Sequence, residues 1–153
     1  MKELRLLSLV LLLMMTAGLA HSAQHEIYPD PMQAKADIAA ALHAAAQSHK
    51  RVLIIFGGNW CPNCQALDQY SRDDANRLLI EANFMLAHVN IGHIDANLDL
   101  AGQYKIQLSD GIPAAAVLNE RGQLLHSGKI GDAGPMKHIE SSDFTAFLKQ
   151  WKP

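Results

Sequence analysis

The feature that most constrains this chain is a five-residue apolar run, Val52-Leu53-Ile54-Ile55-Phe56, which opens onto Gly57-Gly58 and then onto Cys61-Pro62-Asn63-Cys64. A continuous, mostly β-branched run bounded by Arg51 and a glycine pair is the pattern of a strand buried on both faces, and such strands sit inside α/β sheets. Pro62 lacks the N–H that the first turn of a helix leaves unsatisfied, so a helix is expected to start there and to carry Leu67 and Tyr70. Cys61 therefore falls where a buried strand hands over to a helix.

The flanking segments continue the alternation. Asp30 is expected to cap a helix with Pro31 at its first position and Gln33 completing a capping box. Ile38, Ala41, Leu42 and Ala45 give that helix one apolar face, and it ends near Ser48. Asp73 or Asp74 is expected to cap a further helix through Leu78, Leu79 and Ile80. Phe84 to Asn90 reads as a second central strand, and Asp95 to Tyr104 as a helix with Leu98 and Leu100 among its apolar positions. Ala114 to Leu118 and Gln123 to His126 read as a hairpin around Asn119-Glu120-Arg121-Gly122, followed by a loop from Gly128 to His138. Phe144, Phe147, Leu148 and Trp151 have the i, i+3, i+4, i+7 spacing of an amphipathic last helix and are read as core. The predicted order is α, β, α, α, β, α, β, β, α, with parallel central strands, helical crossovers and a closing antiparallel hairpin in one α/β domain.

Lys2, Arg5 and the apolar run from Leu6 to Met15, followed by small residues from Ala17 to Ala23, read as a secretory signal over 1–23, leaving a single domain over 24–153. The run is about 15 residues, short of the roughly 20 that a spanning helix needs. Of 13 Lys and Arg the signal takes two and of 15 Asp and Glu one, so 11 remain against 14, a net charge of −3. That excludes a nucleic-acid footprint, and no basic patch suggests a membrane surface. The expectation is a periplasmic protein, soluble after signal cleavage and monomeric.

Both cysteines of the chain lie in one C-x-x-C, in a protein bound for an oxidising compartment. A sulfur at a helix N-terminus faces unpaired N–H groups and the positive end of the helix dipole, which favours the thiolate and can lower a thiol pKa from about 8.5 to roughly 3.5–7.5. Cys61 is then the nucleophile, and Cys64, one turn later, can attack the resulting mixed disulfide. As a staple the pair would contribute about 2 kcal/mol, against about 3 for a 15-residue loop. As a zinc site it offers two of four ligands, and Gln65 in place of His excludes haem attachment. A soft-metal alternative, a copper chaperone or assembly factor using the same thiols, has only Met32, Met85 and Met136 beyond the signal and no Met- or His-rich tract to support it.

Phe56-Gly57-Gly58-Asn59-Trp60-Cys61-Pro62-Asn63-Cys64, with Gly111-Ile112-Pro113 some 50 residues later, resembles the active site and cis-proline loop of thioredoxin-like proteins, most of all the bacterial exported disulfide isomerase and thiol–disulfide interchange branch. The resemblance covers roughly Ala34 to the C-terminus and implies a three-layer α/β/α sandwich with a central mixed sheet and an N-terminal helical extension. It implies that Cys61 attacks, Cys64 resolves, and Trp60 is a packing platform, with Pro62 and Asn63 setting the motif. It further implies that Pro113 is cis, that the Ile112 backbone pairs with an extended substrate, that no organic cofactor is needed, and that the partners are protein thiols and disulfides with an upstream thiol redox protein. Ile55 stands six residues before Cys61, where thioredoxin carries a buried acid, and His88 aligns with the lysine that partners that acid. His88 is either a strand histidine satisfied by a backbone carbonyl or a group that tunes the thiols. The remaining histidines beyond the signal are read as surface, and Tyr28 as packing the N-terminal extension onto the domain.

Overall fold

The apolar run forms β1 (Arg51–Gly57), and Val52 to Phe56 are almost wholly excluded from solvent. Strand β1 pairs in parallel with β2 (Phe84–Asn90) and antiparallel with β3 (Ala114–Leu118). Strand β3 in turn pairs antiparallel with β4 (Leu124–Lys129), so the mixed sheet has the order β2-β1-β3-β4. The computed structural model describes residues 26–130 and 138–153. The expected signal at 1–23 lies outside them, as does 131–137 of the expected Gly128–His138 loop.

Side chains alternate across the pleat of β1, which divides the core in two. Val52, Ile54 and Phe56 pack under α1 (Ala34–Ser48) and α4 (Leu98–Gln103), whose Ile38, Ala41, Ala45 and Leu100 are buried. Leu53 and Ile55 face the other way, towards α2 (Pro62–Arg72), α3 (Asp74–Asn83) and α5 (Ser141–Trp151), where they meet Leu67, Phe144 and Leu148. Helices thus cover both faces of the sheet. The buried Asn76 of α3 locks the second layer: it donates to the Tyr70 carbonyl at 3.0 Å and accepts from the Thr145 hydroxyl of α5 at 2.7 Å. Among the described residues no helix is long and apolar enough to cross a membrane.

Several local expectations need correction. Asp30 does cap, accepting from the Met32 N–H at 2.8 Å, but Pro31–Gln33 is a 3₁₀ turn and α1 proper begins at Ala34. Gln33 closes no box; its own N–H bonds the Asp30 carbonyl at 2.9 Å. A real capping box forms instead at α5, between Glu140 and Asp143. Asp73 is the N-cap of α3 by position, yet its carboxylate accepts from the Ser141 hydroxyl and joins α3 to α5.

The helix expected over Asp95 to Tyr104 shrinks to Leu98–Gln103, because three successive N–H groups, those of Ile94, Asp95 and Ala96, converge on the Ile91 carbonyl and turn the chain tightly. Leu98, counted as apolar face, is half-exposed, as is Leu78 of α3. Strand β4 starts at Leu124 rather than Gln123 and runs on through Ser127 into Gly128 and Lys129, the first residues of the expected loop. His126 is not a surface residue: its ring packs edge-on to Phe147 at 5.4 Å and against Trp151 at 4.8 Å, and burial pushes its pKa below the usual histidine value.

Candidate active site

Cys61 is the residue between β1 and α2, and it caps the helix with its own side chain. Its Sγ accepts from the Cys64 N–H at 3.3 Å, the position a Ser or Asp oxygen holds at an ordinary N-cap. Pro62 follows at the first helical position, exposed and with no N–H to satisfy. Both cysteines are free thiols and both are buried, Cys61 at 5 % exposure and Cys64 at 1 %.

The two sulfurs have opposite electrostatics. Cys61 is lowered to about 6, first by the hydrogen bond from the Cys64 thiol and then by the N–H groups of Cys64 and Asn63, against an upward push from burial. The neighbouring thiol thus acts alongside the helix-terminus N–H groups that the sequence pattern emphasises. Cys64 moves the other way, raised strongly because its proton is shared with the Cys61 sulfur and because it is desolvated. One thiol is poised to be an anion and the other holds the proton.

Three elements wall the sulfurs. The Ile112 carbonyl stands 3.9 Å from the Cys61 Sγ, in a loop whose Ile112–Pro113 bond is cis. Trp60 donates from its indole N–H to the Gly92 carbonyl at 2.6 Å and stacks on His93 at 5.4 Å, leaving 45 % of its surface exposed beside the cysteines. Under Cys64 lies Tyr28, 1 % exposed, whose hydroxyl and the Cys64 sulfur border the same space over Gly57, where the hydroxyl favours the Cys64 anion.

Sequence reasoning read Tyr28 as packing alone. The structure bears out the packing and adds the hydroxyl contact. Asn59 was missed as a holder of Tyr28: its side-chain amide accepts from the Tyr28 N–H and donates to the Tyr28 carbonyl, both at 2.9 Å. Asn90 fixes the next residue by donating to the Pro29 carbonyl at 2.9 Å. These contacts join residues 31 and 61 positions apart, which no local pattern announces. His88 meets this group through Tyr28, ring edge to ring face at 5.3 Å. Among the described residues no three His, Cys, Asp or Glu side chains gather as a metal ion would require.

Gly57 makes room for the arrangement. A Cβ there would fall 2.8 Å from the Cys64 Sγ and closer still to the Tyr28 hydroxyl, and Tyr28 is held by its main chain. Gly57→Ala is therefore expected to cost about 1–3 kcal/mol as overpacking, read as a lower urea midpoint with an unchanged slope. An unchanged midpoint would mean that the pocket under Cys64 has slack.

A thioredoxin-like family model matches residues 32–120. The chain belongs to the thioredoxin-like family. A disulphide isomerase from Xylella fastidiosa Temecula1 is 31 % identical, with 84 % of this chain and 98 % of that one covered at a TM-score of 0.75. The reduced C-terminal domain of DsbD from Neisseria meningitidis, 18 % identical over 77 % of this chain and 96 % of that one, superposes at 0.55. A thioredoxin from Thermus thermophilus, 22 % identical over 80 % and 83 %, superposes at 0.52. These last two share the fold. A search of the curated proteins finds no significant match. This thioredoxin-like chain thus has a disulfide-oxidoreductase fold with Cys61 and Cys64 held together at its strand-to-helix junction.

Proposed function

We propose that the protein is a periplasmic thiol–disulfide oxidoreductase that exchanges disulfides with protein substrates through Cys61 and Cys64. The observation that carries this reading is the Cys61 sulfur capping α2, accepting from the Cys64 N–H at 3.3 Å beside the buried Cys64 thiol, an arrangement that lowers Cys61 to about 6 and leaves Cys64 its proton. In the reductive direction the Cys61 thiolate attacks a substrate disulfide, forming a mixed disulfide and expelling one substrate thiolate. Cys64 then loses its proton and attacks the Cys61 sulfur. The Cys61–Cys64 disulfide forms, the second substrate sulfur leaves with the electron pair, and a proton from solvent neutralises it. The oxidative direction is the reverse, and an upstream thiol protein resets the pair.

The signal-like start, 1–23, supports export. The strip of Trp60 and the Ile112 backbone beside Cys61 suits an extended peptide, whose main chain would pair with Ile112 as an added strand, with Pro113 and Asn63 shaping the rim. The protein works as a monomer, with no organic cofactor.

The test is exchange with a disulfide-bonded protein across pH. The rate should climb with the Cys61 thiolate, with a midpoint of about 6 and a plateau above it. The sign follows from the anion's being the nucleophile: acid below the midpoint protonates Cys61 and stops attack. No exchange at any pH, or a midpoint at the free-thiol value of about 8.5, would overturn the assignment.

A further inference from the structure

The buried resolving thiol poses a problem. To attack the mixed disulfide, Cys64 must become an anion in a pocket with almost no solvent, and position 55, where thioredoxin has its acid, holds the buried Ile55. Two groups favour the Cys64 anion, the Gly58 N–H and the Tyr28 hydroxyl, and the hydroxyl shares with the Cys64 sulfur the space that Gly57 leaves open. The remaining titratable groups facing Tyr28 are Cys61, Asp68 of α2 and His88 of β2.

We propose that Tyr28 is a catalytic residue of the release step, its hydroxyl donating a hydrogen bond to the Cys64 sulfur as that sulfur sheds its proton and attacks the Cys61–substrate disulfide. The proposal rests on the oxidoreductase reading and deepens it. The geometry is specific: Asn59 grips both main-chain groups of Tyr28, Gly57 lacks the Cβ that would separate hydroxyl from sulfur, and Tyr28 is almost wholly buried beside Cys64. Burial raises the phenol well above its ordinary pKa, so it stays a neutral donor throughout the range in which exchange runs.

The chemistry follows the state of Cys61. In the free dithiol the largest influence holding the Cys64 proton is the Cys61 sulfur. Once Cys61 is tied to substrate that anion is gone, and burial is opposed by the Gly58 and Tyr28 donors. The Cys64 proton leaves to solvent, the Cys61–Cys64 bond forms as the Cys61–substrate bond breaks, and the departing thiolate is reprotonated. Tyr28 keeps its own proton, lending only the hydrogen bond.

Tyr28→Phe in the full chain tests this, because it keeps the ring and removes the hydroxyl. With oxidised glutathione as probe, formation of the mixed disulfide should keep its wild-type rate. Its release through Cys64 should slow by about tenfold or more, the effect of losing a hydrogen bond to a charged group. Equal slowing of both steps would mark Tyr28 as structural, and unchanged release would also overturn the proposal. A wild type that forms no mixed disulfide would sink the oxidoreductase reading itself, a separate failure. Should Tyr28→Phe fold poorly, the Cys64 titration in Cys61→Ser chains decides. Adding Asn59→Ala, which loosens Tyr28 but keeps the hydroxyl, should raise the Cys64 midpoint by about one pH unit, and an unmoved midpoint would overturn the role.

Discussion

Cys64→Ser should turn the protein into a trap: it will attack disulfide-bonded proteins and stay joined to them, so mixed disulfides will accumulate to near-stoichiometric amounts on a non-reducing gel. Cys61→Ser should instead lose exchange to the uncatalysed rate and capture nothing. The asymmetry follows from the electrostatics. With a pKa of about 6, Cys61 is about nine-tenths ionised at pH 7, where a free thiol near 8.5 is only a few per cent ionised. Cys64 is raised and less accessible, so it cannot take over the first attack when Cys61 is absent. In Cys64→Ser the serine hydroxyl can donate to the Cys61 sulfur in place of the Cys64 thiol, the largest influence lowering Cys61, so the trapping variant should still attack while failing to release. Two single variants that behaved alike, with neither holding a partner, would refute the division of labour.

Phe144→Ala should be the most damaging single change in the framework, costing about 3–5 kcal/mol of a total that for domains of this kind is about 5–15. The side chain is fully buried, in the cluster that also holds Leu53, Leu67 and Leu148. Its neighbours cannot close over the cavity. Thr145 is tied to Asn76, Ser141 to Asp73, and the end of α5 to β1 through Arg51, which donates to the Trp151 carbonyl at 2.7 Å. Urea unfolding should show the drop as a lower midpoint, and a loss under 1 kcal/mol would mean that α5 can settle into the void.

Where burial and periodicity act locally, the sequence was readable. Val52 to Phe56 had to be a doubly buried strand because no other element hides five consecutive apolar side chains so briefly, and the cysteines inherited their place from it. Phe144, Phe147 and Leu148 announced α5 through their spacing, and the α/β order followed. What escaped depends on contacts between distant segments. Leu98 and Leu78 have helical spacing but find no partner face. His126 lies on a strand whose covering is supplied by Phe147 and Trp151, more than twenty positions away. Tyr28 stands in a short polar stretch with no period at all, and its position under Cys64 depends on Asn59 and on an absent Cβ at Gly57. Even the acidity of Cys61 was only half legible, since the helix start can be read from Pro62 but the thiol that leans on it cannot.

Both sulfurs belong to the same buried cluster as Phe144 and Leu148. Electron transfer at this pair and unfolding of the chain are therefore two edges of one thermodynamic cycle. The difference in unfolding free energy between dithiol and disulfide forms equals the gap in reduction potential between the folded pair and the same cysteines in the unfolded chain, with 30 mV corresponding to about 1.4 kcal/mol. An ionised Cys61 favours the dithiol form, which pushes the folded pair towards accepting electrons. A chain denatured once oxidised and once reduced thus works as its own voltmeter. Damage that falls equally on both forms leaves the reading where it was, while a change that touches only the thiolate moves it.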